Sequence, residues 1–436
     1  DIPAIRDLAI TTSIGVIILI FTKLILIPVA LSYIGVGEKA AKRSLKAESA
    51  TNATSLLGVL WSMIGRCSER RYAIPLVVVG LALGAVSMVI SHKFLQIGDL
   101  DAGAPELRPE SRYNQDIAYI NAHYRISGDQ FAVITATGPE GIRDYATLVE
   151  QDRLAWTLQQ LPEVIAVESL GSSISLINMG ISEGNPKWLD IPRNHTIESL
   201  AVGTAINNSP ELLSGDASVA PVIAYLKDHR AASLARVAQA AQGFADEHNS
   251  EQRKFLLAAG SAGIDAATNQ VVAVANYRML GLVYASVVLL CYITFRNWRA
   301  VVVALVPLAI TSFLCEALMV ALGIGIKVSS LPVIALGVGC GVDYALYLVT
   351  VQLAAQRSGH PLGQAYREAL NFTGGVVCLV GITMGASVIT WAWSPIKFQA
   401  NMGILLAFMF VWNMVGALLL IPALSYFLLR TPEAAR

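Results

Sequence analysis

Hydrophobic residues in this chain come in long unbroken blocks, not in the short alternations of a soluble fold. Crossing the hydrocarbon core takes about 20 apolar residues. Seven stretches reach that length, at roughly Leu8–Tyr33, Tyr72–Ile90, Asn276–Phe295, Ala300–Leu322, Val328–Val351, Phe372–Trp393 and Met402–Leu429. Between the second and third lie about 180 polar residues, and the other connections are short. The pattern predicts a mostly α-helical polytopic membrane protein with one large extramembrane domain. Inside that domain the periodicity is mixed. QFAVITATG (130–138), EVIAVESL, VAPVIAYL (219–226) and KFLLAAG read as strands. Ile142–Leu161 and Ala231–Glu247 read as helices. Two β-α-β passes of this kind suit a small α/β ferredoxin-like sandwich.

Charge orients the spans, because basic loops stay in the cytoplasm. The loop after the first span carries Lys39, Lys42, Arg43, Lys46, Arg66, Arg70 and Arg71; Arg296, Arg299, Arg357, Arg367, Arg430 and Arg436 fall on the same side. The opposite short loops hold only Lys327 and Lys397. The large domain is therefore expected on the far side, periplasmic in a bacterial inner membrane. The expected layout is a span over 1–34, a cytoplasmic loop over 35–71, a span over 72–91 and a periplasmic domain over 92–275. A five-helix region over 276–429 and a cytoplasmic tail over 430–436 follow. In the loop, ATSLLGVLWSMIGRCSERR reads either as an interfacial amphipathic helix or as a solvated connector.

Composition agrees: 55% of the 436 residues are hydrophobic and 14% charged, and the formal net charge is zero, which argues against a nucleic-acid partner. Five cysteines (Cys67, Cys291, Cys315, Cys340 and Cys378) supply neither a disulfide framework nor a paired-cysteine metal site. No Ser/His/Asp, metal or phosphate-loop constellation marks the polar domain, so no cofactor is expected and the chain does not read as an enzyme. His123, His195, His229 and His248 read as surface histidines. The chain opens on Asp1 without a signal segment and is expected to be part of something longer. Its start, IPAIRDLAITTSIGVIILIFTKLILIPVALSY, parallels its end, SPIKFQANMGILLAFMFVWNMVGALLLIPALSY, as in transporters made of duplicated bundles.

Within the fifth span, GVGCGVDYALYL (337–348) places an aspartate deep in apolar sequence. A charge at the bilayer centre costs between about 3 and about 15 kcal/mol. Ser329, Cys340, Asp343, Tyr347 and Thr350 share one helical face, while Gly337, Gly341 and Ala345 form a small-residue strip that admits a neighbouring helix. Asp343 is thus expected against protein, faced by the hydroxyls of Thr383, Ser387 and Thr390 on the next span, where Gly381 and Gly385 also permit close packing. Such a carboxylate can carry protons between differently hydrated states, or it can be structural. An intramembrane aspartyl protease would need Gly-x-Gly-Asp and a second aspartate. Here the order is Gly341-Val342-Asp343, and no other span holds an Asp. Glu316 reads as structural or hydrated, Lys23 as a deep lysine that could neutralise a carboxylate elsewhere, and Asn413 as an interhelical hydrogen bond.

GVGCGVDYALYL resembles the Gly-rich Asp-Tyr motif of resistance-nodulation-division transporters, in the branch of mycobacterial-large and hopanoid-exporter proteins related to Patched and sterol-sensing proteins. LRPESRYNQDIAYINAHY (107–124) and SPIKFQANMGILLAF are similar to segments of the same group. The resemblance covers the chain as the last helix of a first bundle plus a whole second half. It implies twelve helices, two periplasmic porter domains and proton-driven export of hydrophobic or lipid-like substrates. Asp343 and Tyr344 match its proton-relay pair, with Thr383 and Ser387 as relay neighbours by position. The missing N-terminal half is then an expected partner, and a homo-oligomer is compatible with the family. The chain is expected not to transport alone. A non-pumping lipid or sterol sensor with the same bundle is the alternative.

Overall fold

The computed structural model describes residues 3–35, 37, 56–101, 103–124 and 127–429. The cations Lys39, Lys42, Arg43, Lys46, Arg430 and Arg436 lie outside them. Helix α1 (Pro3–Phe21) passes through a π turn (Thr22–Leu26) into α2 (Ile27–Ile34), and α3 (Leu56–Gly65) precedes α4 (Arg70–Phe94). The extramembrane domain holds α5 (Arg112–His123), β1 (Gln130–Thr137), α6 (Tyr145–Gln159), β2 (Val164–Ser169), α7 (Leu170–Ile181), α8 (His195–Asn208), β3 (Val219–Leu226), α9 (Ala231–His248) and β4 (Arg253–Ala259). The membrane region continues with α10 (Gly260–Phe295), α11 (Trp298–Leu322), α12 (Leu331–Arg357), α13 (Leu362–Ala369), α14 (Gly375–Ile389) and α15 (Lys397–Leu428). Seven of the described helical segments are long and apolar enough to cross a membrane, with α1–α2 and α13–α14 each forming one.

The sheet is antiparallel throughout, in the order β2-β3-β1-β4. β3 alternates half-buried and buried residues along its whole length, so one face meets a core. Helices α6 and α9 close that core with Leu154, Leu158, Leu234 and Val237 against Phe131 and Val222. Between β2 and β3, helices α7 and α8 form a second core around Ile174 and Val202. The apolar pattern predicts no helix there or at α5. Each carries a legible start, because Ser111, Ser169 and Asn194 cap the three N-termini by accepting backbone N–H bonds.

Gly260 turns β4 directly into α10. Its φ is +74°, and a Cβ there would strike the Gln130 carbonyl. α10 then runs unbroken into the membrane region, so the helix expected from Asn276 starts at Gly260. Its first turns carry Asp265, Asn269 and Gln270, which hid them from a search for apolar runs.

α15 is the hub of the bundle. Gly80 of α4 faces its Leu420, Gly337 of α12 its Met409, Gly381 of α14 its Met414, and its own Gly416 faces Pro307 of α11. Glycine lets each backbone come close. Pro422 lacks the N–H that would bond to the Leu418 carbonyl four residues back. The Tyr366 hydroxyl, fully buried on α13, donates to that carbonyl at 2.8 Å. α1–α2 has no buried residue in its most apolar window.

A strap made of 96–101 and 103–108 joins the domain to the bundle. The Gly98 N–H donates to the Ile326 carbonyl at 2.7 Å, and the Lys397 N–H to the Glu106 carbonyl at 2.8 Å. Gly98 has φ +98°, and a Cβ on Gly325 would collide with the Gly98 carbonyl, so the crossing admits no side chain at either residue. Lys327 pairs with Asp99 at 2.6 Å and Lys397 with Asp101. Arg108 donates to the Ala392 and Ser394 carbonyls. The strap is thereby tied to the loops that precede α12 and α15.

Candidate functional site

α12 has two distinct faces. On one, Gly337, Gly341 and Ala345 are buried, and the first two lie against α15. Asn413 of α15 reaches across this seam, its Nδ2 donating to the Gly337 carbonyl at 2.8 Å. A Cβ on Gly341 would lie 2.6 Å from Asn413 Cγ and 2.7 Å from Leu308 Cδ2. The other face is open: Leu336, Gly339, Asp343, Tyr347 and Thr350 are exposed, with Cys340 half-buried at its edge.

Asp343 lies on the open face and has no hydrogen-bond or ion-pair partner among the described residues. Tyr344, one residue on, turns inward. It is 1% exposed, and its hydroxyl is buried without a hydrogen-bond partner among the described residues. The pair therefore sits at the boundary between a packed core and an uncovered surface.

The hydroxyl stripe does not face Asp343. Thr383 and Ser387 on α14 and Thr390 just after it are exposed; Thr383 bonds its own helix at Leu379, and Thr390 bonds the Ser387 carbonyl. The reason is helical geometry. Gly381 and Gly385 of α14 pack against Met414 and Val411 of α15. Thr383 and Ser387, each two residues on, are rotated by about 200° to the opposite side. The glycines and the hydroxyls of one helix could not both meet the same neighbour.

Two other intramembrane polar groups, Glu316 and Tyr284, find partners within the bundle. Glu316 is half-buried and accepts a hydrogen bond from Ser91 of α4. Tyr284 and Ser312 share a bond of 2.8 Å between α10 and α11. Lys23 is exposed in the π turn of the first span. The segment read as either amphipathic helix or connector is helical at α3. Its Trp61 covers Gly374, and Glu69 pairs with Arg367 at 3.5 Å.

His229 is not the surface histidine that its sequence context suggested. It is 8% exposed, and its Nδ1 lies 3.0 Å from Asp129 Oδ1. Burial alone would lower its pKa. The Asp129 bond and charge, joined by Asp99 and Asp265, outweigh that and hold it above the ordinary 6.5. His123 and His195 are exposed and His248 is half-buried. A groove of about 660 Å³ runs between α9 and α10, floored by alanines such as Ala238 and Ala266 and rimmed by Gln242, Asn269 and Gln270.

Residues 194–435, more than half of the chain, match the model of the MMPL family. A Methanocaldococcus jannaschii chain named as a membrane protein, MJ1562, is 27% identical over 145 residues, which are 33% of this chain and 37% of that relative.

Proposed function

Since the chain belongs to the MMPL family, we propose that it is the C-terminal half of a proton-driven exporter of hydrophobic or lipid-like substrates. The observation that carries this reading is Asp343, an unpartnered carboxylate on an open face otherwise made of Leu336, Gly339, Tyr347 and Thr350. Left against lipid, it would cost between about 3 and about 15 kcal/mol. The face is therefore covered in the working protein, by the helices of an N-terminal half. Asp343 takes up and releases the coupling proton there, and the buried Tyr344 hydroxyl is its nearest relay group along the chain. Thr383 and Ser387 make no hydrogen bond to Asp343 among the described residues and have no part in the proposed relay.

The strand order β2-β3-β1-β4, with α6 and α9 as crossovers, supports a ferredoxin-like porter domain. The basic loops on the opposite side support a periplasmic position for it in a bacterial inner membrane. The alanine-floored groove beside α10 is a fitting surface for an apolar substrate.

The test is Asp343→Asn in the complete transporter, with surface quantity of the protein measured beside export. Abolished export with normal insertion is the expected result. Undiminished export refutes the proton role, and lipid binding without any proton dependence in the unsubstituted protein favours a non-pumping sensor.

A further inference from the structure

His229 stands where three parts of the protein meet. It lies in the connection between β3 and α9, Asp129 lies just before β1, Asp265 lies in the early turns of α10, and Asp99 belongs to the strap. The ring is almost fully buried; Nδ1 is bonded to Asp129, while Nε2 is buried with no hydrogen-bond partner among the described residues. Asp99 and Asp265 act on the ring through their charge. Lys327, from the loop before α12, is committed to Asp99 at 2.6 Å. Arg230 turns away to Asp228, and Glu106 adds negative charge near Asp265. Among the described residues, Lys327, paired with Asp99, is thus the one fixed cation of the group formed by Asp99, Asp129 and Asp265. The group carries a formal charge of −2 with a neutral imidazole and −1 with a protonated one. Excess charge removed from water is costly unless paired, and His229 is the group that can supply the pairing near neutral pH.

We propose that His229 is a proton-binding site at the joint between the extramembrane domain and the helices, separate from Asp343, and that its proton holds the strap against the domain. The mechanical link is short. The Asp99 carbonyl accepts from the Ala231 N–H at 2.9 Å, two residues beyond His229, and the next strap residue but one on the other side, Ile97, bridges to Ile326. A histidine held above its ordinary pKa contributes stability that is complete below 6.5 and is lost as the pH rises through the raised value. The strap is therefore tight on the acid side of that transition and loosened on the alkaline side. The inference concerns the joint alone and stands whether or not the chain transports.

The experiment uses the full chain in lipid nanodiscs with nitrogen-15 in its histidines, read by solid-state NMR from about pH 5 to about pH 8. His229→Gln keeps a donor for Asp129 and identifies the His229 signal by its loss. The expected midpoint lies above 6.5 and falls in Asp129→Asn, which also identifies the signal should His229→Gln fail to fold. In parallel, hydrogen exchange at Gly98 and Ala231, corrected for the intrinsic rate, should show protection falling through the same midpoint. Each unit of elevation corresponds to about a tenfold change. A midpoint at or below 6.5, one unmoved by Asp129→Asn, or protection that stays pH-dependent in folded His229→Gln overturns the proposal.

Discussion

Gly339 and Gly341 are two residues apart on α12 and should respond oppositely to the same added methyl. Around Gly339 nothing lies within 4 Å of a Cβ position. Ala there gains helix propensity of up to about 1 kcal/mol. At Gly341 the methyl meets Asn413 Cγ at 2.6 Å and Leu308 Cδ2 at 2.7 Å. Neither can yield freely: Asn413 is tied to the Gly337 carbonyl, and Leu308 is 3% exposed. Overpacking costs about 1–3 kcal/mol, and displacing the Asn413 bond adds about 0.6 in a membrane setting. Set against the same propensity gain, Gly341→Ala should lose about 0.6–2.6 kcal/mol. The two variants then differ by about 1.6–3.6 kcal/mol, which is between about fifteenfold and several hundredfold in the unfolding equilibrium. Unfolding by sodium dodecyl sulfate in mixed micelles, followed by tryptophan fluorescence, reads the difference. Equal midpoints, or a larger loss at Gly339, would refute the assignment of the two faces. Leu346 is unsuited as a lipid-facing reference, because it is half-buried against the bundle core.

Tyr366→Phe should cost about 1–3 kcal/mol by stranding the Leu418 carbonyl, and much less in a Pro422→Ala background, where a returned N–H takes the bond; equal costs in a double-mutant cycle would show that the proline is not the reason for the contact. Glu198 is buried in the extramembrane domain, and burial raises its pKa. Its folded form therefore favours the proton, so Glu198→Gln should raise the thermal midpoint at neutral pH, a gain that vanishes on acidification; a midpoint lowered at neutral pH contradicts this sign. Gly138→Cys and Gly215→Cys, both exposed, should react in intact cells with a membrane-impermeant thiol reagent that reaches the periplasm; labelling only after the inner membrane is broken reverses the topology. Ser214 is unsuited to that labelling, because its hydroxyl accepts the backbone N–H groups of Ser218 and Val219.

The membrane spans were legible because apolar length is a one-dimensional property. The glycine strip of α12 was legible for the same reason, since its spacing lies within one helix. What met the strip was not: Met409 and Asn413 are more than 70 residues away, and nothing local names α15 over α14 as the neighbour. The two spacings on α14 held the correction in advance, since glycines and hydroxyls two residues apart point in opposite directions. His229 shows the harder limit. Its burial depends on Asp129, 100 residues earlier, and on a strap that crosses over Gly325, and neither leaves a trace in the residues around it.

α10 leaves the sheet at Gly260 without a break and ends at Phe295. Thirty-six residues at about 1.5 Å each make a rod of about 54 Å. With no loop between domain and membrane to absorb a rotation, a tilt of the sheet becomes a tilt of the rod. A swing of about 5° about one end carries the other end through about 5 Å, close to the pitch of one helical turn. The domain and the far side of the membrane are in this respect two ends of a single lever, and the tightness of the strap sets where its fulcrum lies.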